Sequence, residues 1–489
     1  MQPSGWTYPD NRVKHPQQGG LESWSLPIGR FQNNVAAPIS IFVFILYVLL
    51  TINPAADTTE GPMGLDYRNY AIIFSIAILV HPLEQIIKGG IRQFLRADVL
   101  LTTSFIYWAL LDIIQERYTL VNLSVESVQL TFVYIACFIL VVQVFANYQF
   151  RIPSLVKDAS RINLDTKKLL TIVVLCFLVG LFPFYRGAYY DFSYMLEGLT
   201  RPRFSAPWMR GSGGGFNAIF EHMKYFGYVL PALTALIIVK EGKFSTKVAL
   251  ALALTIFFSA FEFQGGGRRL TGFLSGMGII TYLVAKRNEL NFKHLITTGL
   301  LGVGILVLMD MQLTFRNVGY EDMFTEYEYG EFEEIKVDDN FLRIAQVVDH
   351  VPEYHSYSGM QFLFWAFARP IPRFFWEGKP VSPGFNVASM VGEQGVSLTT
   401  TVVGEAYASL GLTMIIIIGM LYGLLAGTLN RMLHEPMGII GIALYAIGTL
   451  ALVGGVRSLV DLILYSYAFL GLLVVYHFLM RGKDPKVEA

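Results

Sequence analysis

Cysteine is nearly absent, charge is scarce, and no cofactor loop can be recognised. The 489 residues hold two cysteines, Cys137 and Cys176, and both lie inside apolar runs. That placement excludes a disulfide framework and a thiolate metal site. Charged residues make up 15% of the chain and balance to a net charge of zero. With no basic tract there is nothing to neutralise a nucleic-acid backbone, so a nucleic-acid partner is excluded. Zinc-ligand spacing, a Walker loop, a dinucleotide fingerprint and a GxSxG nucleophile are all missing, so no metal and no cofactor are implied. What is abundant is apolar: hydrophobic residues reach 54% and the mean hydropathy is +0.49. That is the profile of a polytopic membrane protein in the lipid bilayer rather than a large soluble enzyme.

Apolar runs long enough to span a bilayer as helices fall near 36–53, 70–87, 98–115, 128–146, 169–187, 219–239, 248–264, 270–285, 295–313, 403–427, 437–455 and 459–480. The expected fold is therefore an all-α polytopic membrane protein of about twelve transmembrane helices. A large loop, 314–402, separates spans nine and ten, and short tails, 1–35 and 481–489, lie at either end. The polar first 35 residues predict no cleavable signal peptide and a first run retained as a signal anchor. An even number of spans puts both termini on one side.

Lysine and arginine in the loops set the orientation. With both termini cytoplasmic, the inner set holds 12 Lys and 9 Arg, and the outer set 13 Arg with only Lys336 and Lys379. Lysine is a hydrated point charge, whereas arginine is a rigid fork that grips phosphate or carboxylate through two bonds. An arginine-dominated outer face points to anion recognition, or to pairing with protein carboxylates and lipid headgroups.

The densest case is FEFQGGGRRLTG, Phe261 to Gly272. Glycine lets the backbone turn and lets a bulky anion approach. Arg268 and Arg269 open the next helix, whose free amides add to the positive field. Gly272 and Gly276 form a GxxxG, which reads as helix packing. In the long loop, GYEDMFTEYEYGEFEEIKVDD carries nine acidic residues and one lysine, a solvated surface without EF-hand spacing. FLRIAQVVDHV has apolar residues at helical spacing and predicts an amphipathic helix. MQFLFWAFARPIPRFFWEGKPVSPGFN is too short and too broken by proline to span. With Trp365 and Trp376 bracketing Arg369 and Arg373, it reads as an interfacial or re-entrant element.

Ionisable residues in spans are costly and therefore informative. Asp112, Glu262, Asp310, Glu405 and Asp461 gather toward the outer ends, with Arg316 just beyond its span. Arg457 and Asp461 stand four apart on one helix face and are placed to pair. Glu405 is a general base or the partner of a helix N-terminus. His81 and Glu84, toward the cytoplasmic end, read as structural, and His350 and His355 lie in the outer loop. An Arg- and carboxylate-rich patch at the outer interface suits a substrate with a lipid tail and a charged head. Polyprenyl-pyrophosphate glycans are such molecules: arginine would stabilise the departing pyrophosphate, and a carboxylate or histidine would take the proton of the attacking hydroxyl.

The segments ARPIPRFFWEGKPVSPGFN and TTTVVGEAYASLGLTMIIIIGMLYGLLAG resemble the bacterial O-antigen and oligosaccharide repeat-unit polymerases of the Wzy type, over roughly residues 365–425. The GGGRR hinge looks like the arginine-bearing turn of that family. The resemblance implies a GT-C-like, metal-independent membrane glycosyltransferase of the bacterial inner membrane. It would transfer glycan from undecaprenyl pyrophosphate to a sugar hydroxyl of the next lipid-linked unit. A chain-length regulator and a flippase are the partners such an enzyme works beside. The resemblance assigns anion binding to Arg268 and Arg269 from the hinge and to Arg369 and Arg373 from the PR…KP stretch. Arg316 and Arg457 join them by placement only. The base stays open between Glu405 and His355. The product stays open among lipopolysaccharide O-antigen, capsule and exopolysaccharide. An O-antigen ligase, another polyprenyl-dependent glycosyltransferase, a flippase or transporter of lipid-linked sugars, and a docking protein are the alternatives. Against the transporter stand the lack of a repeat between the halves and the position of the charges at one edge.

Overall fold

The computed structural model describes residues 35–52, 67–116, 120, 123–209, 217–242, 244–320, 335–369, 371, 373, 375–393 and 398–480. Both tails and most of the acidic string, 321–334, lie outside the described residues. Among the described residues every regular element is a helix. The main ones are α1 (Ala36–Thr51), α2 (Tyr67–Gly89), α3 (Ala97–Ile114), α4 (Val125–Phe145), α5 (Thr166–Gly187), α6 (Ile219–Glu241), α7 (Thr246–Gln264), α8 (Arg268–Ala285) and α9 (Phe292–Val318). Then follow α10 (Asn340–His350), α11 (Gln361–Ala368), α12 (Thr401–Leu410), α13 (Leu412–His434), α14 (Ile439–Gly455) and α15 (Leu459–Met480).

Among the described residues, nine helices are long and apolar enough to cross a membrane: α2 to α7, α9, α13 and α15. α1 and α14 are shorter apolar helices, and α8 has 18 residues. The outer surfaces of these helices stay greasy, as Leu50, Ile87 and Leu300 illustrate at 84%, 83% and 69% exposure. A bilayer covers such a surface at no cost, whereas water does not. The chain is an all-α membrane protein.

Small residues bring the central helices together. α13 packs on α4, and Gly419, Gly423 and Gly427 line the contact at four-residue spacing. A methyl group at Gly423 would stand 2.7 Å from Phe145 Cβ. This is the small-xxx-small logic of helix association in lipid, where close backbone approach replaces the missing hydrophobic drive. Gly272 and Gly276 do the same for α8, where added methyls would meet Met309 of α9 at 3.6 Å and Leu450 of α14 at 3.3 Å.

One boundary differs from the sequence reading. The run 403–427 is two helices, not one, because Gly411 takes φ +63° and ends α12. A methyl there would sit 3.0 Å from Tyr357 Oη. The spanning helix is α13, and Glu405 belongs to the separate, buried α12.

Candidate functional site

Two groups of carboxylates hold this fold together by different means. One group closes helix ends. Glu84 accepts the amides of Val35, Ala36 and Ala37 at 2.9–3.2 Å and so caps α1, with Lys88 against it at 2.6 Å. Asp112 accepts the amide of Phe341 at 3.1 Å and docks α10. Glu405 accepts Ser458 Oγ at 2.6 Å and the amide of Leu459 at 2.8 Å, and so caps α15. Each meets the orphan amides and positive dipole of a helix start. For Glu405 the structure therefore supplies the N-terminal partnership that the sequence left open.

The second group, Asp338 and Asp461, meets arginines. Arg457 reaches Asp338 with Nε at 3.2 Å and Asp461 with Nη1 at 3.2 Å. Arg268 pairs with Asp338 and donates to the Lys336 carbonyl. Arg269 pairs with Asp461 at 3.0 Å. The result is a chain of alternating sign, Arg268–Asp338–Arg457–Asp461–Arg269, that keeps one positive charge in excess. It ties the hinge to the long loop and to the start of α15. Burial alone would push the Asp338 carboxyl up. The guanidiniums of Arg457 and Arg268 more than reverse that, so it lies below its ordinary value. Lys336 and Asp310 of α9 pair beside the chain at 3.0 Å.

Two further arginines stand at this place. Arg316, at the hinge end of α9, lays its stem over Gly266. A methyl at Gly266 would meet its Cγ and Cδ at 2.4 Å, and Gly266 has φ +71°. Only glycine satisfies both demands. Arg203 lies in the loop before α6, next to Pro202, whose carbonyl accepts from Gln264 at the hinge. Its guanidinium is pushed down first by burial and then by the like charges of Arg316 and Arg269. Arg203 Nε is buried without a hydrogen-bond partner, and neither Arg203 nor Arg316 has a carboxylate in ion-pair reach among the described residues. The loop is held by Gln264 at the end of α7. Its amide donates to the Arg201 carbonyl at 3.1 Å and its oxygen accepts Trp208 Nε1 at 3.1 Å. Gln312 of α9 fixes the hinge from the other side, donating to the Phe263 carbonyl at 2.7 Å and accepting Thr271 Oγ1 at 2.9 Å.

Of the residues singled out from sequence, Arg268, Arg269, Arg316 and Arg457 thus meet at one place. Glu405 lies directly behind Arg457 through Ser458. Arg369 and Arg373 lie elsewhere, on the exposed segment after α11. Arg369 covers the Trp365 ring at 5.3 Å. Lys379 donates to the Ile371 carbonyl at 2.6 Å, and burial followed by the charges of Arg369 and Arg373 pushes its amine down. No ion pair or hydrogen bond among the described residues joins these cations to the hinge. His355 is also apart. It is exposed beside His350 and lines a polar cavity of about 520 Å³ with Ser356, Gln361, Ser382, Asn386 and Ser389. Among the described residues no group of three His, Cys, Asp or Glu side chains is placed to hold a metal ion.

Arg203 escaped the sequence reading. The signal available was the tripeptide PRF, which occurs at 202–204 and again at 372–374.

A family model described as a domain of unknown function (DUF8712) matches residues 338–482. Its match opens at Asp338 and includes Arg457 and Asp461 but not the hinge. No curated protein and no solved structure matches the chain.

Proposed function

We propose that the chain polymerises lipid-linked oligosaccharide repeat units. It would transfer glycan from undecaprenyl pyrophosphate to a sugar hydroxyl of the next unit on the outer face of a bacterial inner membrane. The observation that carries this reading is the meeting of Arg268, Arg269 and Arg457 around Asp338 and Asp461, with Arg316 over the hinge and Arg203 in the adjoining loop, neither of them in ion-pair reach of a carboxylate among the described residues. Such a site has cationic capacity left over, at the rim of a membrane domain, for a doubly anionic head. In this reading the acceptor hydroxyl attacks the anomeric carbon of the donor sugar, and that carbon's bond to the pyrophosphate oxygen breaks. The lipid pyrophosphate leaves toward the arginines, and the hydroxyl proton passes to a base. Preorganised cations where charge develops are the main source of acceleration in reactions of this kind. Both Glu405 oxygens already hold a helix start, and His355 lines a separate hydroxyl- and amide-lined cavity, so the proton acceptor stays open between them.

The Lys and Arg distribution supports both termini in the cytoplasm and the hinge outside. We infer twelve crossings in a GT-C-like arrangement, with α1, α8 and α14 added to the nine longer helices.

The test is a gel of surface and lipid-linked glycans from a deletion strain complemented with the wild-type chain or with Arg316→Gln. The expected result is a long ladder only with the wild type, and single repeat units with the variant at equal protein level. A ladder that survives deletion rejects the reading. Long chains stranded on the carrier would make the chain a ligase. Repeat units trapped on the cytoplasmic side would make it a flippase.

A further inference from the structure

Below the arginines lies a cavity of about 1040 Å³. Three of its walls end at the arginine cluster. α7 runs up to the triple-glycine hinge, α8 starts there with Arg268 and Arg269, and α9 ends there with Arg316. The back wall is α6, from Pro231 to Ile238. Along α8 the lining runs from Thr271 to Leu283, along α7 from Leu252 to Phe263, and along α9 from Lys293 to Leu308. Eleven steps of helix, as on α7, are roughly 17 Å, about half the hydrocarbon thickness of a bilayer.

The opening exists because α9 leans away from the bundle. Its only buried residues are Met309, Gln312 and Phe315, all near the hinge. The remainder of its 27 residues stands off, so the cavity is a groove open sideways to lipid. Thr234 and Thr255 share a hydrogen bond of 2.7 Å, and Thr271 donates to Gln312 at 2.9 Å. The facing side chains Ser259, Ala260, Ser275 and Gly278 are small and leave width. The groove thus offers mostly apolar surface through its length, with Lys293 and His294 lining its far end at the start of α9 and the four arginines standing just beyond its hinge end.

We propose that this groove seats the long hydrocarbon chain of an anionic lipid whose phosphate head reaches Arg203, Arg268, Arg269 and Arg316. The identity of that lipid as a polyprenyl pyrophosphate rests on the function proposed above; the groove and its polarity do not. A transmembrane helix of a partner is the poorer occupant, because its hinge end would bring a peptide terminus rather than an anion to four guanidiniums. Phospholipids carry two chains and one phosphate. A single long chain under a pyrophosphate fits the single groove and the excess of cations better. The lateral opening beside α9 lets the chain enter from the bilayer while the head stays in water.

The experiment uses the purified full-length chain in nanodiscs with undecaprenyl pyrophosphate as probe and phosphatidylglycerol as competitor, and bound lipid is counted by native mass spectrometry. Ser275→Trp fills the groove from α8. Ile256→Trp fills it from α7 at a position that is already 66% exposed and tolerates bulk. Arg316→Gln removes a head contact. Elution volume and thermal melting establish that each variant is folded. The expected result is retention of the probe by the wild type, with at least a tenfold loss in both tryptophan variants and in Arg316→Gln. Retention unchanged in both folded tryptophan variants overturns the groove, even where Arg316→Gln loses the probe. Equal retention of phosphatidylglycerol, lost equally on filling the groove, overturns a single-chain pyrophosphate as its occupant, because the groove then takes a two-chain phospholipid as well. If the tryptophan variants lose the probe but cells keep a full glycan ladder, the groove stands and the proposed polymerisation falls.

Discussion

Two sets of arginines sit at the edge of this protein, and they are built differently. At the hinge, Arg268, Arg269 and Arg457 are held in a chain with Asp338 and Asp461, and Arg203 and Arg316 flank it from helices and loops that Gln264 and Gln312 lock in place. After α11, Arg369 and Arg373 are exposed, lie among the exposed aromatics Phe364, Phe367, Phe375 and Trp376, and have no carboxylate in ion-pair reach among the described residues. The first set is fixed by its surroundings before anything binds. The second hangs on a proline-broken segment whose apolar face suits the headgroup level of a bilayer. Preorganisation separates a site that can stabilise a leaving group from a surface that only leans on phosphates.

The comparison is broken most directly at Arg268. Arg268→Ala should abolish the long glycan ladder at normal protein level, because it removes a head contact and frees Asp338 from the hinge. A ladder of normal length would reduce the hinge to a structural joint. Next comes Glu405→Gln. A neutral amide has one acceptor for the two donors that the carboxylate now serves, so α15 should lose about 1–3 kcal/mol of support, read as a lowered melting temperature in detergent. Loss of activity without loss of stability would instead make Glu405 the proton acceptor. Gly266→Ala places a methyl in the left-handed region, at about 1–2 kcal/mol, and drives it into the Arg316 stem. Melting should fall, and activity should fall with it. Intact activity would show that the position of Arg316 is not needed.

A smaller effect follows from protonation. The Asp338 carboxyl lies below its ordinary value in the folded chain. Its contribution is therefore fully present above the unfolded value of about 4 and is lost as pH falls through the lower folded value. Melting curves of the wild type and Asp338→Asn should differ at neutral pH and converge in acid. Curves that stay parallel would show that Asp338 carries no such linkage. Arg373→Gln should change least. It should weaken retention of phosphatidylglycerol by the chain in nanodiscs by at most roughly fivefold, as expected for one cation at a charged surface, and leave the glycan ladder in place. Loss of the ladder would move the second set into the chemistry.

Much of the architecture was legible because the signals are local. Each apolar run is a contiguous window, and the structure has a helix in every one. The Arg457–Asp461 pair was also legible, since four residues on one helix fix the distance. The break at Gly411 was not. In sequence, Gly411 is one glycine among many in an apolar run, and what makes it a corner is its φ and the Tyr357 ring packed against it. Nor was the role of Glu405 decided. Its partner residues Ser458 and Leu459 are 53 and 54 positions away.

The sequence by itself determined an all-α membrane chain, the hinge with its adjacent arginines, and the predominance of arginine over lysine on one set of loops. These follow from composition and spacing within single segments. Only the tertiary structure decided which charges meet. Arg268 and Asp338 are 70 residues apart, Arg457 and Asp338 are 119 apart, and Arg269 and Asp461 are 192 apart. Only packing brought in Arg203, set Arg369, Arg373 and His355 apart, and left the groove beneath the hinge. The physical reason is range: hydrophobicity acts along the chain window by window, whereas an ion pair forms only where helix packing has already carried two distant side chains to within 4 Å.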